Sequence, residues 1–504
     1  MKIPKLIAAL MKLTLASPTV VTAAEPESQS DRPNIVFVLI DDLGWNGTAS
    51  YGNKLVKTPH IDKLASGGAQ FDAAYAMAQC SPARFSFMTG QYAARTNHTA
   101  VIMEKHCMPY TRMIQPESNR SMDKNLFNVG RMLKQAGYHV GQVGKWHVDL
   151  GEMGPERKEL GRDYIAQWGW EEMKSSPDFK LEDDAKGVMK MTNATLHYLD
   201  TRRDRPAFAY LAHQTVHTGV EAPERLVQKY MDQGYARALS KQPKISERHC
   251  ADFLAMIDYV DESIGYLVEG IEQLQLERET IVIFMSDNGG LERLWDMAPL
   301  RRGKGSEYEG GIRVPLIVHW PSKVAAGQVI DKPVHIIDLY PTFMEIAGGD
   351  AGSHHLDGAS ILPLMDGRGG FDRDAIYMHT PLYIPHYNKT PSSLIRTDDY
   401  KLIYFHGDYL HESDYKTVIP GERYELYRIN EDISEQENLA DAMPEKTADL
   451  KAKLHAWLEE SGAQMPVINP DFDLDNWQFK TSSRVDYQGN VIPKDVFKAQ
   501  KKKK

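Results

Sequence analysis

Asn34 to Asp42 reads NIVFVLIDD, six consecutive apolar residues, Ile35 to Ile40, that stop abruptly at two carboxylates. A strand with one face in water would alternate apolar with polar residues. An unbroken run belongs to a strand covered on both faces, as in a parallel sheet. Ile281 to Met285 (IVIFM) repeats the pattern and ends in Ser286-Asp287-Asn288. Tyr138 to Val143 leads into Gly144-Lys145-Trp146-His147, and Ala207 to Ala212 leads into His213-Gln214-Thr215-Val216-His217. Ala251 to Gln275 places Phe253, Leu254, Ile257, Val260, Ile264, Leu267, Ile271 and Leu274 at helical spacing, just before the second apolar run. Strand runs alternating with helical runs predict an α/β fold with a large, mostly parallel central sheet flanked by helices. Ligands of such sheets bind beyond the carboxyl ends of the strands, where these Asp, Lys, His and Asn residues fall.

Working outward, the texture changes after Asp357-Gly358 and Leu362-Pro363-Leu364, and residues 367–373 read as a linker. Beyond it, Ala375 to Met378, Leu394 to Arg396, Lys401 to Phe405 and Tyr424 to Tyr427 are short strand-like pieces, and Lys446 to Glu459 is a helix candidate. The expected organisation is a large domain over 25–370, a smaller C-terminal subdomain with an antiparallel sheet over 371–465, and an extension over 466–504 that ends in the lysine run Lys501 to Lys504. Met1 to Lys5 is short and basic, Leu6 to Val21 is mostly apolar, and Thr22-Ala23-Ala24 offers small residues for cleavage. Residues 1–24 therefore read as a signal peptide, which places the mature chain in the periplasm or outside the cell. No later stretch approaches the roughly 20 apolar residues of a membrane-spanning helix, so no membrane span is expected.

The 504-residue chain has 42% apolar and 25% charged residues, a globular composition. Its 59 Lys and Arg against 69 Asp and Glu leave a net charge of −10, which gives no electrostatic footprint for nucleic acid. Three cysteines, Cys80, Cys107 and Cys250, are too few for a disulfide scaffold, and an odd count leaves one thiol needing another explanation. Asp41-Asp42 and Asp287-Asn288 each present oxygen donors at a strand end, the ligand type that calcium and magnesium prefer. Either pair alone is equally an ordinary helix cap, and their shared position after long apolar runs favours metal.

Cys80-Ser81-Pro82-Ala83-Arg84-Phe85-Ser86-Phe87-Met88-Thr89-Gly90 resembles the signature of type I sulfatases, in which the cysteine is oxidised to formylglycine. Further segments resemble that family in order: Thr58 to Asp62, Gly144 to His147, Val216 to Thr218, Ser286 to Gly290, Pro299 to Gly305, Tyr308 to Trp320, Asp338 to Thr342 and Asp399 to Ile403. The resemblance spans roughly residues 32 to 461. Ala83 stands where Ser is usual, Phe87 where Leu is common, and Gln91 where Arg often follows the glycine.

The resemblance implies an alkaline-phosphatase-like fold, sulfuric ester hydrolysis and one calcium per chain, held by Asp41, Asp42, Asp287, Asn288 and the side chain derived from Cys80. It also implies a formylglycine-generating or sulfatase-maturing enzyme as a partner during biogenesis. A hydrated aldehyde carries two hydroxyls: one attacks sulfur, and loss of the proton from the other expels sulfate, which a serine cannot reproduce. Arg84 would orient this diol, and Lys145 would bind diol and sulfate. His147 would remove the second hydroxyl proton, while His217 and Lys304 would protonate the leaving alcohol and bind sulfate oxygen. Lys145 and His147, two apart, would share one side of an extended chain. His98, His139 and His213 read as structural. Relatives with two metals about 4 Å apart use Ser or Thr nucleophiles, whereas lysines stand at the matching positions here.

The expected substrate is a sulfated carbohydrate, such as ulvan, carrageenan or glycosaminoglycan fragments. His386, Tyr387, Asn388 and Arg396 are the candidate sugar-binding residues, because aromatic rings stack on sugars and Arg meets carboxylate or sulfate. Packing between the two sheets is the competing reading of that segment, and core packing is favoured for Trp168 and Trp170. Small aryl or alkyl sulfates are the alternative substrates. A silent sulfated-glycan-binding protein is the alternative function if Cys80 stays a thiol.

Overall fold

The computed structural model describes residues 32–102, 111–234, 245–384, 387–411 and 418–470. The signal segment, the lysine tail, Cys107 and His386 lie outside the described residues.

Ile35 to Ile40 are all fully buried, and the strand has two cores to serve. Ile35, Phe37 and Leu39 enter one core, shared with Phe85, Phe87 and Met88 of helix α1 (Cys80–Thr89) and Phe343. Val36, Val38 and Ile40 enter the other, shared with helix α2 (Val188–Thr201) and helix α3 (Glu247–Gln273). Side chains alternate between the faces of a strand, so apolar residues are needed at every position when both faces are covered. Helix α3 starts four residues before its first expected residue, because Ser246 Oγ accepts the His249 N–H and caps the first turn.

Nine strands form the large sheet: β1 (Asn34–Ile40), β2 (Ala69–Tyr75), β3 (His139–Gly144), β4 (Glu171–Glu172), β5 (Ala207–Ala212), β6 (Thr280–Ser286), β7 (Arg313–His319), β8 (Gln328–Ile330) and β9 (Val334–His335). Their order is β9-β2-β7-β6-β1-β5-β3-β4, with β8 also beside β2. Only β7 runs against its neighbours. The mostly parallel α/β architecture expected from the sequence is the one observed.

A four-stranded antiparallel sheet follows: β10 (Ile376–Thr380), β11 (Ser392–Arg396), β12 (Tyr400–Phe405) and β13 (Arg423–Arg428). Helix α4 (Pro444–Glu460) packs Leu450, Leu454, Trp457 and Leu458 into a hydrophobic core common to both sheets. An ionic cluster is buried between the sheets. Lys401 bridges Glu309 at 2.8 Å and Glu435 at 2.5 Å, Arg313 meets Glu309 at 3.1 Å, and all four residues are buried.

Candidate active site

The register of the large sheet assembles the site. Ile40 pairs with Ser286, Leu39 with Ala212, and Gly144 also with Ala212, so four parallel strands end at one level. The residues that follow each strand therefore converge. Asp41, Asp42, Asp287 and Asn288 are fully buried there.

Each carboxylate meets a cation. Arg84 donates from Nε and Nη2 to Asp287 Oδ2 at 3.0 and 2.8 Å, Lys145 Nζ to Asp41 Oδ2 at 2.6 Å, and Lys304 Nζ to Asp42 Oδ1 at 2.5 Å. Burial pushes Asp41 up, yet Lys145, His217, Arg84 and Lys304 outweigh it and hold the carboxyl far below the usual range. Burial and the neighbouring Asp41 push Asp287 up to about 6 despite Arg84. Lys304 is held well above its usual value, Asp42 outweighing its burial.

Cys80 opens helix α1 and is 2% exposed, and burial raises its thiol pKa although Lys145 and Lys304 oppose the shift. Ligand atoms of Asp41, Cys80 and Asp287 lie within 4.8 Å of one another, as do those of Asp41, Asp42 and His217. Asp41 Oδ1, Asp42 Oδ2 and Asn288 Oδ1 are buried and, among the described residues, accept no hydrogen bond. Buried oxygens without donors are costly. A set of carboxylate and amide oxygens left in this way fits a hard divalent cation.

His147 and Lys145 reach the site by a different path from the extended one expected. The strand ends at Gly144, φ +94°, and His147 itself has φ +58°, so neither residue is extended. Glu152 Oε2 accepts the His147 main-chain N–H at 2.6 Å. Ser81 Oγ lies 3.1 Å from His147 Nδ1, which leaves Nε2 for proton transfer. Burial, with Lys145 and Arg84, lowers His147 well below its usual pKa, so the imidazole is neutral. His217 Nε2 is 3.8 Å from Asp42 Oδ2, and burial lowers its pKa against the pull of Asp41 and Asp42. Tyr210, 3.3 Å from Arg84 Nη1, together with Glu152 and Ser81, is a site contact that spacing did not reveal.

The second-sheet candidates divide. Tyr387 packs its ring over Gly305, next to Lys304: a Cβ on Gly305, φ +86°, would meet that ring at 2.5 Å. Asn388 follows in a left-handed turn and is half-buried. Arg396 is placed elsewhere. It is 1% exposed between the sheets, and its Nε donates to Tyr75 Oη at 3.0 Å. Its expected place at the mouth of the site is corrected to the interior, because β11 turns this residue toward β2. Trp168 and Trp170 are fully buried, as favoured from the sequence. His213 is buried, His98 stacks on Phe85, and His139 pairs with Asp204.

The family model for sulfatases matches residues 33–349, most of the chain. The chain belongs to the sulfatase family. A second model, the C-terminal region of N-sulphoglucosamine sulphohydrolase, matches residues 303–464. This sulfatase is 28% identical to a sulfatase of Formosa agariphila, over 89% of its own length and 93% of the relative's. It is likewise 28% identical to human arylsulfatase A, over 74% and 75%. An N-acetylgalactosamine-6-O-sulfatase of Bacteroides thetaiotaomicron is 28% identical over 58% of this chain and 69% of its own. The fold matches that of Ps i-CgsB in complex with k-i-k-neocarrahexaose, with TM-score 0.64, 24% identity, and 90% and 96% of the two chains covered. It also resembles a phosphonate monoester hydrolase of Agrobacterium radiobacter, with TM-score 0.57, 18% identity, and 84% and 96% covered. The sulfatase is thus a sulfuric ester hydrolase built on an alkaline-phosphatase-like fold.

Proposed function

We propose that this sulfatase releases sulfate from a sulfated poly- or oligosaccharide, using Cys80 matured to formylglycine and one calcium ion. What carries the reading is the meeting at one strand-end level of Cys80, three cations and three buried oxygens that, among the described residues, have no donor. The carbohydrate part is supported by the N-acetylgalactosamine-6-O-sulfatase relative and by the oligosaccharide in the Ps i-CgsB structure.

Asp41, Asp42, Asp287 and Asn288 would hold calcium, which when bound supplies positive charge to the nucleophile and to one sulfate oxygen. The aldehyde hydrate from Cys80 would supply one hydroxyl to attack sulfur and a second whose deprotonation releases sulfate. Arg84 is held rigid by Asp287, the Lys145 carbonyl and Tyr210, and so forms a preorganised positive floor. Lys145 and Lys304 each keep N–H groups beyond their carboxylate contacts, and these would bind sulfate oxygens. Neutral His147 is in the form needed to accept the hydroxyl proton. His217, with its side chain 30% exposed beside Asp42, would as the imidazolium protonate the leaving alcohol oxygen.

Release of sulfate from defined sulfated oligosaccharides, followed by ion chromatography, tests the substrate class. Turnover of small aryl sulfates with none of the oligosaccharides would overturn the carbohydrate reading and favour the activity named in arylsulfatase A. An unmodified Cys80 thiol in the purified enzyme would favour silent glycan binding. We also propose export after cleavage near Ala24, with maturation by a formylglycine-generating or sulfatase-maturing enzyme, and N-terminal sequencing of the exported chain tests the cleavage.

A further inference from the structure

Lys186 stands in a turn that no motif marks, yet its ammonium reaches the main chain of His217. Its Nζ donates to the His217 carbonyl oxygen at 2.6 Å. The residue has φ +55° and is followed by Gly187 at φ +68°, two left-handed residues in succession ahead of helix α2. That conformation is unfavourable for a residue with a Cβ and persists only when its surroundings impose it. Asp184 imposes it here: its carboxylate accepts the Met189 and Lys190 N–H groups at 2.9 Å each and the Tyr259 hydroxyl at 2.8 Å, tying the turn to helices α2 and α3.

The ammonium is half-buried, and among the described residues no carboxylate lies within 4.0 Å of it. Burial lowers its pKa, while Asp41, Asp42 and Glu221 face it and pull the other way, with Lys145 opposing them. A lysine on the surface would find a carboxylate or water. This one, from a strained and half-buried turn, donates to the carbonyl of one candidate catalytic residue. It also lines a cavity of about 370 Å³ together with Lys145 and Gln214.

We propose that Lys186 is a positioning residue for His217, fixing the imidazole for protonation of the leaving oxygen. The inference rests on the acid role of His217 proposed above. In that step the bond from sulfur to the sugar oxygen breaks, and its electron pair stays on the oxygen. That oxygen takes the Nε2 proton of the His217 imidazolium, which is left as the neutral ring, while the sulfuryl group passes to the ionised hydroxyl oxygen at residue 80. His217 lies in irregular chain between β5 and residue 224. Main-chain bonds secure its neighbours, from Asp41 N to the Thr215 carbonyl at 3.0 Å and from Val216 N to the Asp41 carbonyl at 2.7 Å. Lys186 secures the carbonyl of His217 itself, and displacement of a catalytic group by about 1 Å costs as much as 100-fold in rate.

Lys186→Met and Lys186→Arg are to be compared with His217→Ala and the wild type on 4-nitrophenyl sulfate, whose phenolate leaves unprotonated, and on phenyl sulfate, whose poorer leaving group needs the acid. The expected result for Lys186→Met is a kcat on phenyl sulfate lower by roughly 10- to 100-fold, with less than about 3-fold on 4-nitrophenyl sulfate and KM within about 2-fold. Lys186→Arg, which also donates to a carbonyl, restores most of the loss. Equal losses on both esters, or a change confined to KM, overturn the proposal while His217→Ala keeps its leaving-group dependence. If His217→Ala shows no such dependence, the acid assignment falls and this inference falls with it. A crystal structure of Lys186→Met gives a readout independent of turnover: His217 displaced from Asp42 supports the proposal, and an unmoved ring overturns it.

Discussion

Ile40 lies directly opposite Ser286 in parallel register, and the two strands end together. As a result the Asp42 main-chain N–H meets Asp287 Oδ1 at 3.2 Å, and Asn288 Nδ2 donates to Asp42 Oδ1 at 2.8 Å. The candidate ligand oxygens are thus placed by main-chain register. Dialysis against a calcium chelator is expected to abolish sulfate release, and calcium should restore it at one ion per chain by calorimetry. Asp287→Asn should cost at least about 100-fold in kcat, since a carboxylate is lost from the metal set and from Arg84 together.

Cys80 is 2% exposed, at the start of a helix. Mass spectrometry of the peptide containing it should find the aldehyde in place of the thiol. Cys80→Ala should lower kcat by roughly 10⁴-fold or more without changing the thermal midpoint by more than about 2 °C, because the proposed nucleophile is removed.

Gly305 leaves room for Tyr387 beside Lys304. Gly305→Ala should destabilise the fold by about 1–2 kcal/mol, because the added Cβ meets both a left-handed φ and the Tyr387 ring. Displacement of Lys304 should lower kcat at least about 10-fold. Calorimetric melting and steady-state kinetics measure the two effects separately.

The buried cluster between the sheets carries a pH signature. Burial raises Glu435 from 4.5 to about 7, more than Lys401 lowers it. The folded chain then keeps a proton that the unfolded chain releases, so this contribution to stability is full below pH 4.5 and declines as pH rises toward 7. Glu309 has the opposite sign. Its burial is outweighed by Lys401 and Arg313, which hold it at about 2, and its contribution is lost as pH falls from 4.5 toward 2. The melting-temperature difference between wild type and Glu435→Gln should change between pH 4.5 and 7, in favour of the variant as pH rises. A flat difference would count against the assignment.

Lys401→Met should be harsher than either glutamine substitution. It leaves Glu309 and Glu435 facing each other without their shared ammonium, at a cost of roughly 3–5 kcal/mol. Denaturant unfolding at pH 7.5 provides the measurement.

The apolar run before Asp41, the cysteine segment and the Lys and His residues after the strands were legible because each is a local pattern. Continuous apolarity reflects two covered faces, and polar strand ends reflect where ligands bind in a parallel sheet. Arg396 was misplaced because its residue type suits both an anion site and a buried network, and only the orientation of β11 distinguishes them. The path from Lys145 departs from the extended one only at His147, whose left-handed φ goes with a main-chain N–H accepted by Glu152, a contact that spacing does not reveal.

By itself the sequence determined the α/β class, the sulfatase resemblance and the residue types of the site, all of which depend on neighbours along the chain. Tertiary structure alone decided which strand ends lie level, which oxygens lack donors among the described residues, and which side chains hold the histidines. Those relationships join residues far apart in the chain, Asp42 with Lys304 and Lys186 with His217, and arise only when strand register and burial bring them within hydrogen-bond reach.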